Sequence, residues 1–98
     1  MTGDINQYDS FGRNAAHYAV GNKNIAALEH LCQDGVEIDV DKQTIGGLTP
    51  LILAVKGGDV KVVAAVLNCN GNPFFRDQLG MEPSDMATYN EEMMALID

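Results

Sequence analysis

The chain has 98 residues, enough for one domain at most, and its 46% apolar content includes three Phe, three Tyr and no Trp, so Ala, Val, Leu and Ile have to build the core. Fourteen acidic residues against six basic ones give a net charge of −8, which speaks against nucleic-acid binding and attachment to anionic membranes, because both require clustered Lys and Arg. No apolar run approaches the roughly 18 residues of a membrane span, and Met1 to Ser10 is polar and short, without the apolar segment of a secretory signal.

In chain order, Gly3-Asp4-Ile5-Asn6 reads as the end of a preceding unit, and Gln7 to Arg13 as an extended hairpin leading into a helix. Asn14 is a usable N-cap for a helix from Ala15 to about Asn22, whose Ala15, Ala16 and Ala19 let a neighbour approach closely. A second helix runs from Ile25 to Gln33, opened by Asn24 and stopped by Gly35. After the connection Asp39 to Gly46, Thr49-Pro50 marks the strongest start in the chain. A Thr hydroxyl accepts from a free amide, and proline at the first helical position gives up only an amide that had no partner. That helix meets Gly57-Gly58, and Asp59 opens the next one with its charge at the favourable end of the dipole. Val60, Val63 and Leu67 at i, i+3 and i+7, flanked by Val62 and Val66, make this helix apolar over a broad face, and Asn70 occupies the left-handed stop position. Pro73 forces Asn72 extended in the turn Asn72 to Asp77. Pro83 starts a further helix, and Asn90 caps a last one carrying Met93, Met94, Leu96 and Ile97. The connection before Asn90 is about two residues shorter than its counterparts, which predicts a different packing there. Each pair of helices has more apolar surface than it can hide alone and needs a neighbour.

Spacing supplies the neighbour. Gly12 to Gly47 is 35 residues and Gly47 to Gly80 is 33, the period of a stacked-repeat protein. The central copy, G-L-T-P-L-I-L-A-V-K-G-G-D-V-K-V-V-A-A-V-L, resembles the ankyrin repeat at Gly47, Thr49, Pro50, Leu51, Ala54, Gly58, Val63 and Leu67. The first copy agrees at Gly12, His17, Ala19, Leu31 and Gly35 but has Asn14, Ala15 and Ala16 where the family prefers T-P-L. The third keeps Gly80, Pro83 and Ala87 after the linker N-P-F-F-R-D. The resemblance implies an all-α ankyrin-type solenoid of about three helix-turn-helix repeats joined by short hairpin loops. It would form a single domain over residues 1–98, with repeats roughly at 9–43, 44–76 and 77–98 and residues 1–8 as the tail of a preceding repeat. Terminal repeats of solenoids usually turn a polar face to water. Here the apolar last helix predicts either continuation into a longer array or a partner covering that end.

Catalytic and cofactor readings find little support. His17 falls at the family's histidine position, which implies a bond to backbone in the neighbouring loop; no nucleophile or carboxylate shares a catalytic spacing with it. His30 has no metal-site spacing to His17 and reads as a surface or boundary residue. Asp34, Glu37, Asp39 and Asp41 lack the glycine and closing Glu of a calcium loop, and read as a solvated rim able to meet Lys or Arg on a partner. Gly46-Gly47 and Gly57-Gly58 are outside any phosphate-loop context. No metal and no cofactor is expected, and the chain is expected not to be an enzyme. Cys32 and Cys69 occupy comparable repeat positions without a C-x-x-C motif. A disulfide needs Cα atoms within about 7 Å, whereas stacked helices are usually roughly 8–10 Å apart, so the spacing predicts two reduced thiols in a cytoplasmic, reducing compartment.

Binding remains. The resemblance implies a protein partner held by the hairpin fingers and the inner helices, hence by Ser10, Phe11, Arg13, Gly21 and Asn22, by Ile45, Gly46, Leu48, Lys56 and Gly57, and by Gln78, Leu79, Met81 and Tyr89. Phe11, Ile45, Leu48, Leu79 and Met81 are apolar where exposure is expected, and together they would form one patch. The expected function is a non-catalytic protein–protein interaction module, a scaffold whose acidic balance is compatible with a basic partner surface. The alternative is a structural subunit or array segment buried by its ends in a larger multiprotein assembly.

Overall fold

The computed structural model describes residues 7–33, 38–86 and 91–97, and all regular secondary structure among the described residues is helical. The helices are α1 (Ala15–Gly21), α2 (Ile25–Leu31), α3 (Pro50–Gly57), α4 (Val60–Asn68), α5 (Pro83–Met86) and α6 (Glu91–Ile97). Local chemistry sets their boundaries. Asn14 Oδ1 accepts from the Ala16 and His17 amides at the start of α1, and Asn24 Oδ1 accepts from Ala27 N at the start of α2. Thr49 Oγ1 accepts from Ile52 N at 3.1 Å with Pro50 in the first turn of α3, and Gly58 ends that helix in the left-handed region at φ 76°. Asp59 accepts from Lys61 N to open α4, and Asn70, at φ 65°, ends the turn that follows it. Helix α2 closes at Leu31, two residues before the expected Gln33, because Cys32 already caps it by donating its amide to Leu28 O. Gly35 and Asn90, assigned above to stop and start helices, lie outside the described residues, as does Ala87.

The helices form two layers. One contains α1, α3 and α5, with α3 between the other two, and the second contains α2, α4 and α6, with α4 in the middle. The molecule measures 43 × 26 × 20 Å, elongated as side-by-side stacking requires. Leu51, Ile52 and Val63 are fully buried, and Leu28, Val62, Val66, Ala16 and Ala54 nearly so. Burial on α4 centres on Val62, Val63 and Val66, while Val60 and Leu67 are only half buried. The middle position explains the shift: α4 packs against both α3 and α2, so its apolar face is turned to the angle between them. Ala16 and Ala19 face the core as expected and leave space for close approach between α1 and α3.

The two cysteines overturn the expectation of free thiols. Cys32 and Cys69 are disulfide-bonded, with Cα atoms 5.4 Å apart. The reason is geometric. An interaxial distance of roughly 8–10 Å separates helix axes, but Cα atoms lie about 2.3 Å off each axis, so facing positions on packed helices come well within disulfide reach. Both residues are C-caps, of α2 and α4, and so meet at the same level of neighbouring helices. Closing a loop over a sequence separation of 37 stabilises the fold by about 4 kcal/mol on the chain-entropy account.

Val63 has no exposed surface, so Val63→Asp would bury an unpaired carboxylate between α3 and α4. The expected outcome is loss of cooperative unfolding in a thermal or urea melt. A retained cooperative transition would count against this packing.

Candidate partner-binding surface

Ahead of each helix pair the chain makes the same five-residue finger, at 9–13, 44–48 and 77–81. In each, the first residue donates its amide to the carbonyl of the fifth: Asp9 to Arg13, Thr44 to Leu48 and Asp77 to Met81, all at 3.0 Å. The fourth residue is a glycine that donates back to the first carbonyl, and Gly12, Gly47 and Gly80 share one left-handed conformation at φ 83°, 81° and 79°. A side chain completes each turn. Asp9 Oδ1 accepts from Phe11 N and Arg13 N, Thr44 Oγ1 from Gly46 N and Leu48 N, and Asp77 Oδ1 from Leu79 N and Met81 N. Asp9, Thr44 and Asp77 have no assigned role in the sequence expectations above; their fixed position three residues before each repeat glycine is the signal that marks them.

The fingers are also bonded to one another. Ile45 N donates to Phe11 O and Gln78 N to Gly46 O, both at 3.0 Å. Gln43 Nε2 donates to Gly47 O and to Arg76 O, joining the second finger to the approach of the third. The approach is closest at Gly47, where a Cβ would fall 2.7 Å from Gln78 N and 2.9 Å from the Asp77 backbone. Behind the fingers, buried His17 connects the first helix pair to the second: its Nε2 is 2.8 Å from Leu48 O, and its Nδ1 accepts from Asn14 N at 3.2 Å. That pattern requires the proton on Nε2. Burial, opposed by the bond to Leu48 and reinforced by the nearby Lys42 charge, holds the His17 pKa below the usual 6.5.

The candidate residues divide by exposure. Phe11 (53%), Ile45 (74%) and Leu79 (76%) project from neighbouring fingers into solvent. Leu48 and Met81, expected to be exposed with them, are half buried, because as fifth finger residues they turn toward the helices. Arg13, Asn22 and Leu48 come together with His17, Tyr18, Thr44 and Leu53 around a groove of about 420 Å³ between α1, α3 and the second finger. Gln78 and Lys56 are exposed. Tyr89 lies outside the described residues.

Three exposed aromatic residues, Tyr8, Tyr18 and Phe74, were not among the candidates. Arg13 explains Tyr18: its guanidinium carbon is 5.2 Å from that ring centroid and 4.9 Å from that of Phe11, while its Nε pairs with Asp9 Oδ2 at 2.8 Å. The Tyr18 hydroxyl donates to the same carboxylate. This bond first, and then those from Arg13, hold Asp9 far below the usual carboxylate range, and in return the Tyr18 phenol is raised. Lys42 Nζ stands 4.3 Å over the Tyr8 ring. Of the supposed acidic rim, Asp39 Oδ1 accepts from Asp41 N and Asp41 Oδ1 from Asn72 N at 2.8 Å, so both brace backbone; Asp34 and Glu37 lie outside the described residues. No group of three or more His, Cys, Asp or Glu among the described residues is placed to hold a metal ion. No helix among them is long and apolar enough to cross a membrane.

Paired helices stacked side by side, with hydrogen-bonded fingers along one edge, define a helical repeat solenoid. A family model described as "Ankyrin repeats (3 copies)" matches residues 2–77. The chain belongs to the ankyrin-repeat family, whose repeats generally mediate protein–protein interaction and are typically non-catalytic. The final helix pair lies beyond the matched residues. A comparison with curated proteins gives no significant match.

Two predictions test the finger architecture. Gly47→Ala combines left-handed strain with contact against the Asp77 backbone and is expected to destabilise the protein by about 2 kcal/mol or more. Gly57→Ala, with nothing within 4 Å of the added Cβ, is expected to be neutral or stabilising by up to about 1 kcal/mol; thermal melts of the two variants check both. For His17, the folded pKa is below the unfolded 6.5, so the unfolded chain binds more protons. Its contribution is complete above pH 6.5 and is lost as pH falls from there toward the lowered folded value. Urea midpoints between pH 7 and 5 should fall for the native chain, and this component should be missing from His17→Gln.

Proposed function

We propose that the chain is a non-catalytic interaction module that binds a protein partner along its fingers and the adjoining groove. The observation that carries this reading is the presentation of Phe11, Ile45 and Leu79 on three fingers whose backbones are already hydrogen-bonded in place. A partner meeting them would order little of this chain, so little entropy opposes binding. Arg13 and Asn22 at the groove, with Lys56, Gln78, Met81 and Tyr89, complete the proposed contact surface. The net charge of −8 favours a partner with a basic surface and speeds its approach. The repeat division at 9–43, 44–76 and 77–98 belongs to the same proposal.

A second reading, an array segment covered at its last helix within a larger assembly, rests on Leu96, which is 40% exposed on α6. The cytoplasmic placement is also part of the proposal. A reducing cytoplasm would hold Cys32 and Cys69 as thiols, so compartment and the state of this pair are one question.

The test is comparative capture. Ile45→Asp and Leu79→Asp should each weaken partner binding about tenfold or more, as expected of central apolar anchors, while shifting the thermal midpoint little, because both side chains are exposed. Proteins retained by the native chain, absent from both variants and identified by mass spectrometry, would be the partners. Equal capture by native and variant chains would exclude the fingers as the binding surface. Loss on a Leu96→Asp variant instead would favour the buried-segment reading.

A further inference from the structure

We propose that Cys32–Cys69 is a reversible thiol–disulfide exchange site, which a dithiol reductant opens and which, when closed, locks the first helix pair to the second. Three observations support it. First, both cysteines border open space. The cysteines are half buried, and with Ile25, Glu29, Lys61 and Asn68 they line one open groove of about 510 Å³ in the α2–α4 layer, wide enough to admit an attacking thiolate. Second, the bond is a covalent tie between packed helices of neighbouring repeats: Cys32 caps α2 and Cys69 caps α4. Third, the reduced state has a place for its proton. Cys69 Sγ is 3.6 Å from Leu28 O, the carbonyl that already accepts from Cys32 N, so a Cys69 thiol formed on reduction finds an acceptor without rearrangement. A Cys69 thiol is thereby accommodated in the reduced state, and the exposed Glu29 and Lys61 stand at the rim of the groove.

Exchange proceeds in two displacements. A thiolate of the dithiol attacks one sulfur of the pair, breaking the S–S bond and releasing the other cysteine as a thiolate, which takes a proton. The second thiol of the reductant then attacks the mixed disulfide, closes its own S–S bond and releases the remaining cysteine. Two electrons pass to the protein, two thiols form on it, and the reductant ends as a disulfide. On the finger edge, Ile45 N–Phe11 O and His17–Leu48 still join the two repeats. Opening the bond thus leaves the α2–α4 edge of the seam to apolar packing while the finger edge keeps its hydrogen bonds. This does not rest on which partner the fingers take.

The experiment equilibrates the full chain in glutathione buffers of graded reduced-to-oxidised ratio. It counts thiols by alkylation and intact mass, and follows amide hydrogen exchange in both forms. Over the series, the chain should pass from no alkylated thiol to two, and back when the buffer is reversed. In the reduced but still folded chain, amides of α1 and α2 should exchange at least about tenfold faster than in the oxidised chain. The double variant Cys32→Ser/Cys69→Ser should exchange like the reduced chain in every buffer. The proposal is overturned if both thiols stay free in fully oxidised glutathione, if the bond resists excess dithiothreitol in the folded chain, or if exchange is the same in both forms.

Discussion

Lateral burial of one helix pair on the next is the constraint from which the rest of this structure follows. Helices α1 to α4 have only seven to nine residues each, well short of the length at which an isolated helix holds together in water. They persist because their apolar stripes are removed from water on two sides at once. Val62 and Val63, adjacent in sequence, both disappear from the surface, which is possible only for a helix with neighbours on two faces. The consequence is cooperativity between repeats: the first pair is defined by the second, and loosening the seam between them loosens both.

Close stacking brings backbone segments into contact at the finger edge, and there the polar bookkeeping becomes strict. The fingers resolve it with a small set of parts: a side-chain acceptor at the first position and a left-handed glycine at the fourth, each used three times, and an amide that the second and third fingers give to the preceding one. His17 extends the same logic inward, since one imidazole both closes the cap of α1 and reaches Leu48 in the next repeat. Protonating Nδ1 would remove the acceptor for Asn14 N, which is why this residue serves structure in its neutral form.

Much of this was readable from residues alone, and the parts that were not share a cause. Asn14, Asn24, Thr49-Pro50, Asp59 and Asn70 announce helix ends through interactions spanning a few residues, and the glycine period of 35 and 33 announces the stacking. What stayed hidden depends on distances between elements. The spacing of helix axes argues against a Cys32–Cys69 bond, but the spacing of facing Cα atoms, 5.4 Å here, decides it. Hydrophobicity alone does not separate Leu48 and Met81, half buried at the fifth finger position, from Ile45 and Leu79, exposed at the tips. The Asp9, Arg13, Tyr18 cluster joins a finger to a helix one turn further on, and only the entry angle of α1 brings the three together.

That cluster changes how the charge of the molecule should be read. A net charge of −8 suggests a surface that attracts cations everywhere, yet several of the basic side chains are gathered near the fingers and already engaged. Arg13 is held by Asp9 between two aromatic rings, Lys42 is over Tyr8, and Arg76 pairs with Glu82. Exposed pairs of this kind add little stability; their effect is to fix aromatic and cationic groups in place beside the apolar fingertips. On the proposed reading, the long-range field would set how fast a basic partner arrives, and the finger edge would set which one stays. The two requirements would then be met by different residues, and sequence change at the fingertips would alter recognition on that reading without disturbing either the charge of the molecule or the burial that holds the helices together.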